Sequence, residues 1–437
     1  MEHIIQNFEK LAENELRRDA LEIAEVGYEA SNVGAAIGRK LRIENGELHI
    51  VEVKPPQNKT VYQLAGRRVF FVGIGKCAFV AASAIEKLLG DTLTGGVAID
   101  ISVQHPVLDT IEALVGTHPL PSEENEQATK RVLEFVSDLR TEVLVIFLIS
   151  GGGSTLLCSY DAPMTSVDES KLFQELTAKG ASIQEMNTVR KHTSRARGGG
   201  LARAAYPAEI ISLTVSDVPR NDIQFISSGP TIRDSSTADD AEKVLAHYGI
   251  ALPPNVSFIE TAKEEKYFER ATNILFLTSE DALSAMRDEA TRRGYAAEIV
   301  DEQFAGEARA IGCTIVEKLH NTAPKTALLY SGESTVTLPS TALGAGGRNQ
   351  EMALAALATI RDGELILPFA SDGHDNTDSA GAISDAVTIA HAREKNLLVT
   401  EYLSAHRSYD FFTTTGDALN TGYTGTNISD LIIALKK

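Results

Sequence analysis

The chain has 437 residues, enough for two or three domains with a substantial core, and its apolar (43%) and charged (23%) fractions are those of an ordinary soluble globular protein. A formal net charge of −19 argues against a nucleic-acid or anionic-membrane partner, since both need a basic face, but leaves room for a small anion held by a few local cations. Cys77, Cys158 and Cys313 lie far apart without a CxxC pair, which indicates neither a disulfide framework nor a thiolate zinc site and fits a reducing, cytoplasmic setting.

No basic-then-apolar signal opens the sequence; Ile4, Ile5, Phe8, Leu11, Ala12, Leu16 and Ala20 recur at helical spacing and predict an amphipathic helix. The stretch from Leu41 to Ile50 reads as a hairpin around Asn45-Gly46, and residues 54–59, with two prolines, read as a linker. Strands are predicted at Val69–Val72, Gly96–Val103, Val143–Ile149 and Glu209–Val215, alternating with helices at Cys77–Leu89 and Glu123–Leu139. Such alternation implies a mainly parallel sheet with helices on both faces. The longest apolar run, Val143 to Ile149, is far too short to span a bilayer. Between Ser235 and Glu269 the texture changes to an acidic helix, Ala238–His247, then Pro253-Pro254 and charged residues, which places a domain crossover there. A second series follows: strands Asn273–Leu277, Ala297–Val300, Thr326–Tyr330 and Leu365–Phe369, helices Glu280–Arg293, Gly306–Leu319 and Glu351–Ile360, and a final helix or strand, Ile428–Leu435. Ligands of α/β folds sit at the carboxyl ends of strands, so the informative loops follow Val72, Ile149, Val215, Tyr330 and Phe369.

The first of these loops, Gly73-Ile-Gly75-Lys76-Cys77-Ala78, satisfies G-x-G-x-x-A, and Asp100 closes the next strand: a weak dinucleotide fingerprint. It reads equally as a phosphate or carboxylate turn in which Lys76 supplies the charge, or as a bare tight turn; with Cys77 after Lys76 it is no Walker A. Ser150-Gly151-Gly152-Gly153-Ser154-Thr155 lets a phosphate approach the main chain, and it lacks the G-x-S-x-G spacing of serine hydrolases. The segment from Asn187 to Leu201 is basic and rich in hydroxyls, but Arg190, Lys191, Arg195 and Arg197 cannot all face one ligand from a helix; a solvated face is the plain alternative, and His192 reads as structural. Asp217, in Ser216-Asp217-Val218-Pro219, suits Mg²⁺, proton abstraction or turn capping. Asp372 and Asp375 repeat that theme at a spacing unlike an EF-hand. After the strand ending in Gly332-Glu333, a glycine turn presents Arg348 and Asn349 as a helix begins, the pattern of an anion clamp. Glycine turns, a few cations and hard carboxylates together are the parts phosphoryl transfer needs.

At these residues the chain resembles the glycerate 2-kinase family, whose members carry a C-terminal MOFRL domain. The likeness runs in order through Gly73-Ile-Gly-Lys76, Thr117-His-Pro-Leu-Pro121, Ser150-Gly-Gly-Gly-Ser154, Asn187-Thr-Val-Arg190-Lys-His192, Ser216-Asp-Val218, Ser228-Gly-Pro-Thr231, Gly332-Glu333, Gly346-Gly-Arg-Asn-Gln-Glu351, Asp372-Gly373, Ala380-Gly-Ala382 and Gly425-Thr-Asn427. It implies ATP-dependent, Mg²⁺-assisted phosphorylation of the 2-hydroxyl of D-glycerate. It also implies two α/β domains with the site in the cleft between them: a Rossmann-like domain over 1–240, a connecting segment over 241–325 and a MOFRL-type domain over 326–437. By position, Lys76, Arg190, Arg348, Asn349 and Asp375 would bind substrate, with Lys76 and Arg348 also on the transferring phosphate. Gly73, Gly75, Ser150, Gly151, Gly152, Gly153, Ser154 and Glu333 would hold the nucleotide. Asp217 and Asp372 would share metal and base duty, the division between them open. Three departures from the family pattern, at Arg220, at His374 in a loop one residue shorter, and at Tyr423, leave a four-carbon aldonate such as erythronate or threonate as an alternative substrate. An NAD(P)-dependent hydroxypyruvate reductase, resting on Gly73 to Ala78 and Asp100, is the alternative of a different class; a non-catalytic sugar-phosphate sensor is a third, against which Lys76 and Arg348 both count. A homodimer is compatible with the chain.

Overall fold

Fully apolar runs such as Leu144–Ile149, in which every residue is buried, need cover on both faces, and a parallel sheet flanked by helices supplies it. The computed structural model describes residues 3–51, 60–102, 107–216, 222–338 and 344–437. The linker expected at 54–59, Asp217 and Arg220 lie outside the described residues. Contacts divide the chain into two units, Val33–Leu277 and, together, Met1–Asn32 with Thr278–Lys437.

In the Val33–Leu277 unit, β1 (Leu41–Glu44), β2 (Glu47–Ile50) and β3 (Val61–Gln63) form a small antiparallel sheet, with Asn45 and Gly46 both at positive φ in the hairpin turn. The main sheet is built from β4 (Val69–Ile74), β5 (Leu93–Asp100), β6 (Ile111–Val115), β7 (Leu144–Ile149), β8 (Glu209–Val215) and β9 (Ala271–Leu277). Its order is β6-β5-β4-β7-β8-β9 and every pairing is parallel. The chain therefore winds outward from β4 in one direction, returns, and winds outward from β7 in the other. The reversal falls between β4 and β7, the topological switch point where α/β sheets open a crevice beyond their strand ends. Helices start where the sequence caps them: Thr165 with Asp168, Ser182 with Glu185 and Thr237 with Asp240 each form a reciprocal capping box.

In the other unit the sheet is mixed. It contains β10 (Ala296–Glu307), β11 (Thr326–Thr335), β12 (Glu364–Ala370), the two-residue β13 (Gly381–Ala382), β14 (Ser384–Asp385) and β15 (Ala418–Leu419), and β16 (Asp430–Lys436), in the order β10-β11-β16-β12-β13-β15 with β14 on β12. Among the described residues only β10 and β11 pair in parallel here, because β16 runs antiparallel between β11 and β12; the mainly parallel sheet expected of the N-terminal domain is the first sheet. The segment left open as helix or strand is thus a central strand, buried from Asp430 to Leu435. The expected N-terminal helix is broken into Phe8–Leu11 and Glu15–Ser31, where the Asn14 side chain caps the second by accepting from the Arg17 N–H at 2.9 Å.

These contacts divide the chain differently from the expected 1–240, 241–325 and 326–437. β9 completes the first sheet by pairing with β8, so that unit runs past residue 240 to Leu277. The helix Glu15–Ser31 packs on the helix Ser279–Arg292: a Cβ on Gly27 would lie 2.8 Å from Met286 Sδ, and Asp19 takes Arg293 at 2.7 Å and Tyr295 at 2.8 Å. Among the described residues no helix is long and apolar enough to cross a membrane.

Candidate active site

Parallel register brings Ile74 beside Ile149, so the turns after β4 and β7 leave the sheet side by side. The first is spent internally. The Gly75 N–H donates to Ile99 O at 3.1 Å and the Lys76 N–H to Gly151 O at 3.0 Å. A Cβ on Gly75, at φ 112°, would sit 2.6 Å from Ser150 O, and one on Gly73 3.2 Å from Ala78 Cβ. Gly73 and Gly75, expected to cradle a cofactor phosphate, instead permit close packing, and Ser150 is a brace: its N–H and hydroxyl both donate to Ile74 O, and its carbonyl accepts from Ser227 Oγ at 2.7 Å. Asp100 settles the fingerprint in the same way. It is buried, with one carboxylate oxygen on the Phe79 N–H (3.1 Å) and the other on the N–H groups of Ile101 (2.6 Å) and Ser102. Its oxygens cap the helix Ala78–Leu89 that follows β4 and its own turn rather than reaching outward for a ribose.

The second turn is different. Among the described residues, the N–H groups of Gly152, Gly153 and Ser154 meet no acceptor. A Cβ on Gly152 would lie 3.1 Å from Lys76 Cγ and 3.6 Å from His118 Cδ2, so the lysine stem and the imidazole flank this glycine. Ser154 Oγ lies 2.9 Å from Ser228 Oγ, which donates to Asn187 Oδ1 at 2.8 Å. His118 is an exposed residue, yet the surrounding protein, then the Lys76 and Arg190 charges, push its pKa down to about 4.

Of the four cations in the basic segment, three have carboxylate partners. Lys191 binds Asp234 at 3.0 Å, Arg195 binds Asp161 at 2.5 Å, and Arg197 and Glu169 form a buried two-pronged pair at 2.5 and 2.9 Å. Arg190 alone has no carboxylate at ion-pair distance among the described residues; its guanidinium lies 3.8 Å from the Phe173 ring centroid, and its buried Nε has no partner. Burial lowers its pKa to about 10, against the pull of Glu169. His192 is structural as expected, buried with Nδ1 against Ile259 O at 2.8 Å and Nε2 near Ser236 Oγ.

In the other unit, register places Asp430 opposite both Gly332 of β11 and Ala370 of β12, so Glu333, Asp430 and Asp372 emerge at one sheet edge. Arg348, first residue of the helix Arg348–Ala356, is held there: Nε donates to Asp430 Oδ2 at 2.5 Å, Nη2 to Oδ1 at 3.2 Å, and Nη1 lies 2.6 Å from Glu333 Oε1. The anion clamp expected at this helix start is filled from within. Asp375 accepts from the Asn349 N–H (3.1 Å), the Asn349 side-chain amide (3.3 Å) and the Gln350 N–H (2.8 Å), and a Cβ on Gly347 would fall 2.2 Å from its Cγ. Asn349 and Asp375, expected on the substrate, are both buried and bind one another. Burial, then the neighbouring Asp430, raises the Asp375 carboxyl to about 7. Asp372 is half-buried; one oxygen accepts from the His374 N–H at 3.0 Å. The departures His374 and Tyr423 come together, their rings stacked at 6.2 Å. Sequence reasoning missed His118, Glu169 and Asp430 as site residues. His118 stands inside the quoted Thr117–Pro121 run and Asp430 three residues past Asn427; no local signal marks Glu169.

A six-stranded sheet of this order, with a cationic glycine turn at its switch point, defines an α/β protein of the class that binds small anions and nucleotides. A family model described as a domain of unknown function, DUF4147, matches residues 19–259, and that of the MOFRL family matches residues 326–430. A D-glycerate 2-kinase of Thermotoga maritima is 34% identical over 91% of this chain and 98% of its own. An Agrobacterium vitis protein that carries hydroxypyruvate reductase as a provisional name is 36% identical over 83% of this chain and 86% of its own. A crystal structure of the glycerate kinase of Thermotoga maritima superposes with a TM-score of 0.83 at 32% identity, covering 97% of this chain and 99% of that one. The chain belongs to the glycerate 2-kinase family with a C-terminal MOFRL domain.

Proposed function

We propose that this protein is a phosphotransferase that moves the terminal phosphoryl group of ATP to the 2-hydroxyl of D-glycerate. The observation that carries the reading is the turn at the β4–β7 switch point, where the Lys76 stem and the His118 ring flank Gly152 and, among the described residues, the N–H groups of Gly152 to Ser154 meet no acceptor, with Arg190 close enough for its charge to act on His118. Charge neutralisation and positioning are most of what phosphoryl transfer asks of a protein. In the reaction the substrate O–H gives up its proton, a new O–P bond forms, and the bond to the ADP oxygen breaks. Lys76 and Arg190 hold anionic oxygens in this unit; in the other, Asp430 and Glu333 fix the guanidinium of Arg348, a further cation suited to transferring charge. The hard oxygens of Asp372, and of Asp217 by position, suit Mg²⁺, which supplies phosphate charge neutralisation when bound. Either carboxylate is chemically able to take the hydroxyl proton.

The relatives named as glycerate kinases support this reading. Against the reductase stands Asp100, whose oxygens are taken by the helix Ala78–Leu89 and its own turn. The stacked His374 and Tyr423 beside Asp372 favour testing longer acids. Purified protein with ATP and Mg²⁺ should form ADP with D-glycerate, the product showing a 2-phosphate signal by phosphorus NMR; L-glycerate, hydroxypyruvate, erythronate and threonate complete the screen. Oxidation of NADH by hydroxypyruvate without ATP, or no ADP with any acid, would overturn the proposal.

A further inference from the structure

The loop Gly116-Thr117-His118-Pro119 joins β6 to the helix Glu123–Val136, and it is fastened far more firmly than a connection requires. Asn125, fully buried, accepts from the Thr117 N–H at 2.7 Å and donates to Thr117 O at 2.9 Å and to Thr155 O at 3.0 Å. Thr155 Oγ1 donates to Pro119 O at 3.2 Å. Gly116 has no room for a side chain: a Cβ there would lie 2.6 Å from Leu156 Cδ2. Two residues of the glycine-turn segment, Thr155 and Leu156, are therefore stapled to the loop that carries His118. The staple delivers the imidazole to Gly152, beside the Lys76 stem, on a residue that remains exposed.

We propose that His118 is a third ligand, beside Lys76 and Arg190, for the anionic group held over the Gly152–Ser154 turn, and that it takes up a proton as that group arrives. The inference rests on the functional reading above, which puts a phosphoryl or carboxylate oxygen in the recess at this turn. Among the described residues, the titratable groups whose charge acts on His118 are Lys76, from the turn after β4, and Arg190, from the helix Ile183–Lys191. Both are cations, so in the empty recess they and the crowding protein disfavour the imidazolium. An arriving anion reverses the sign of that field, and an opposite charge within about 4–6 Å raises an imidazole pKa by roughly 1–3 units. Starting from a value of about 4, the imidazole becomes protonated in the weakly acidic range only when the anion is bound. The recess gains a donor when it is filled without a third repelling charge when it is empty.

Calorimetric titration of the full-length protein with inorganic phosphate, ADP and D-glycerate, each in buffers of differing ionisation enthalpy, counts protons taken up on binding. The wild-type count minus that of His118→Gln removes the ligand's own protons. The expected difference is a substantial fraction of one proton at about pH 6 and close to none at about pH 8, for the ligand that occupies the recess, with a weakening by His118→Gln of about 3–10-fold at the lower pH; these are order-of-magnitude expectations for one charge-assisted hydrogen bond. A difference with phosphate and ADP but not with D-glycerate assigns the recess to the nucleotide; the converse assigns it to the substrate carboxylate. The imidazole signal of His118 in the wild-type protein, followed by NMR with and without ADP or D-glycerate, reads the same shift without a variant. Equal proton counts in two proteins that both bind, and both turn over D-glycerate with ATP, would sink the inference and leave the functional reading standing. Failure of all three ligands to bind, with no turnover, would sink both.

Discussion

Glu169→Gln tests the buried pair that fixes the end of the helix bearing Arg190, the one cation of the basic segment without a carboxylate at ion-pair distance among the described residues. The Glu169 and Arg197 side chains are 4% and 0% exposed, joined by two hydrogen bonds, and Tyr160 donates its hydroxyl to the same carboxylate. Arg197 Nη1 also donates to Arg190 O at 3.0 Å, near the end of the helix Ile183–Lys191. Glutamine keeps the volume and deletes the charge, leaving a buried guanidinium without a counter-ion; breaking one side of such a pair costs about 3–5 kcal/mol. At about 2–4 °C per kcal/mol for a unit of this size, the midpoint of thermal unfolding should fall by roughly 6–20 °C. Arg195→Ala is the control: its pair with Asp161 is 51% and 41% exposed, so its loss should cost less than about 1 kcal/mol. Glu169→Gln with Arg197→Met should recover part of the loss, because no unpaired charge remains. The sign with pH is also fixed. Burial alone would raise the Glu169 carboxyl, but Arg197 holds it below its ordinary value. The pair thus contributes fully above the unfolded carboxyl pKa, and its contribution fades as pH falls through the lower folded value; Glu169→Gln should flatten that acid limb. Calorimetry and urea titration read all of this. A single variant within about 1 kcal/mol of wild type, or a double variant no better than the single, would refute the reasoning.

Lys76→Ala and Arg348→Ala should each lower turnover by ~10²-fold or more in the ATP-coupled assay if they stabilise transferring charge, and near-normal turnover in either removes that residue from the site. Asp375 has a folded pKa of about 7, above its unfolded value, so its contribution is complete below the unfolded pKa and is lost as pH rises through about 7. Asp375→Asn should flatten the stability profile over that window, as read by urea midpoints, and an unchanged slope would assign the pH dependence elsewhere. Gly75→Ala places a Cβ 2.6 Å from Ser150 O at φ 112°, so it should cost more than about 3 kcal/mol and show as lost soluble yield and lost cooperative unfolding. A cooperative, wild-type-like melt would show that the turn can yield.

The first sheet was legible because most of its strands are short apolar runs bounded by glycine and polar turns, and these fall within a few residues of their expected places; β6, whose Ile111 alone is buried, was not foreseen. β16 was ambiguous for the same reason: a strand buried on both faces has no period to separate it from a buried helix. The helices Ala386–Glu394 and Val399–Ser404 carry few buried residues and left no pattern to read, and Ser408–Thr415, although it buries Phe411 and Phe412, is too short to show a period. Nor does local sequence say that the helix Glu15–Ser31 joins the C-terminal unit, since Gly27 matters only once Met286 is placed against it. Among the candidate residues, residue type singled out Lys76, Arg190 and Arg348, but only the fold shows what each is paired with. Lys191, Arg195 and Arg197 look like Arg190 in the sequence, but each has a carboxylate opposite, whereas Arg190 among the described residues has none and lies on the Phe173 ring.

The same rule bears on the choice between a dinucleotide and a phosphoryl group. A G-x-G-x-x-A turn with an acid at the end of the next strand names residues, while binding depends on which N–H groups and which carboxylate oxygens remain unspent after folding. Here the first turn donates to Ile99 and Gly151, and Asp100 is consumed on the helix that the motif was expected to open to a ligand. The unspent donors lie one strand over, after β7, where Ser227 braces Ser150 from behind and Lys76 reaches across from the first turn. The lysine in the fingerprint, foreign to nicotinamide folds, thereby gains a physical purpose: the first turn gives up its own backbone donors and lends its side chain to the second. Restoring a dinucleotide turn by Lys76→Gly alone should therefore gain no NADH binding in a fluorescence titration, because the Asp100 oxygens and the Gly151 carbonyl would still close it; a Kd in the micromolar range would show that the lysine alone had been the barrier.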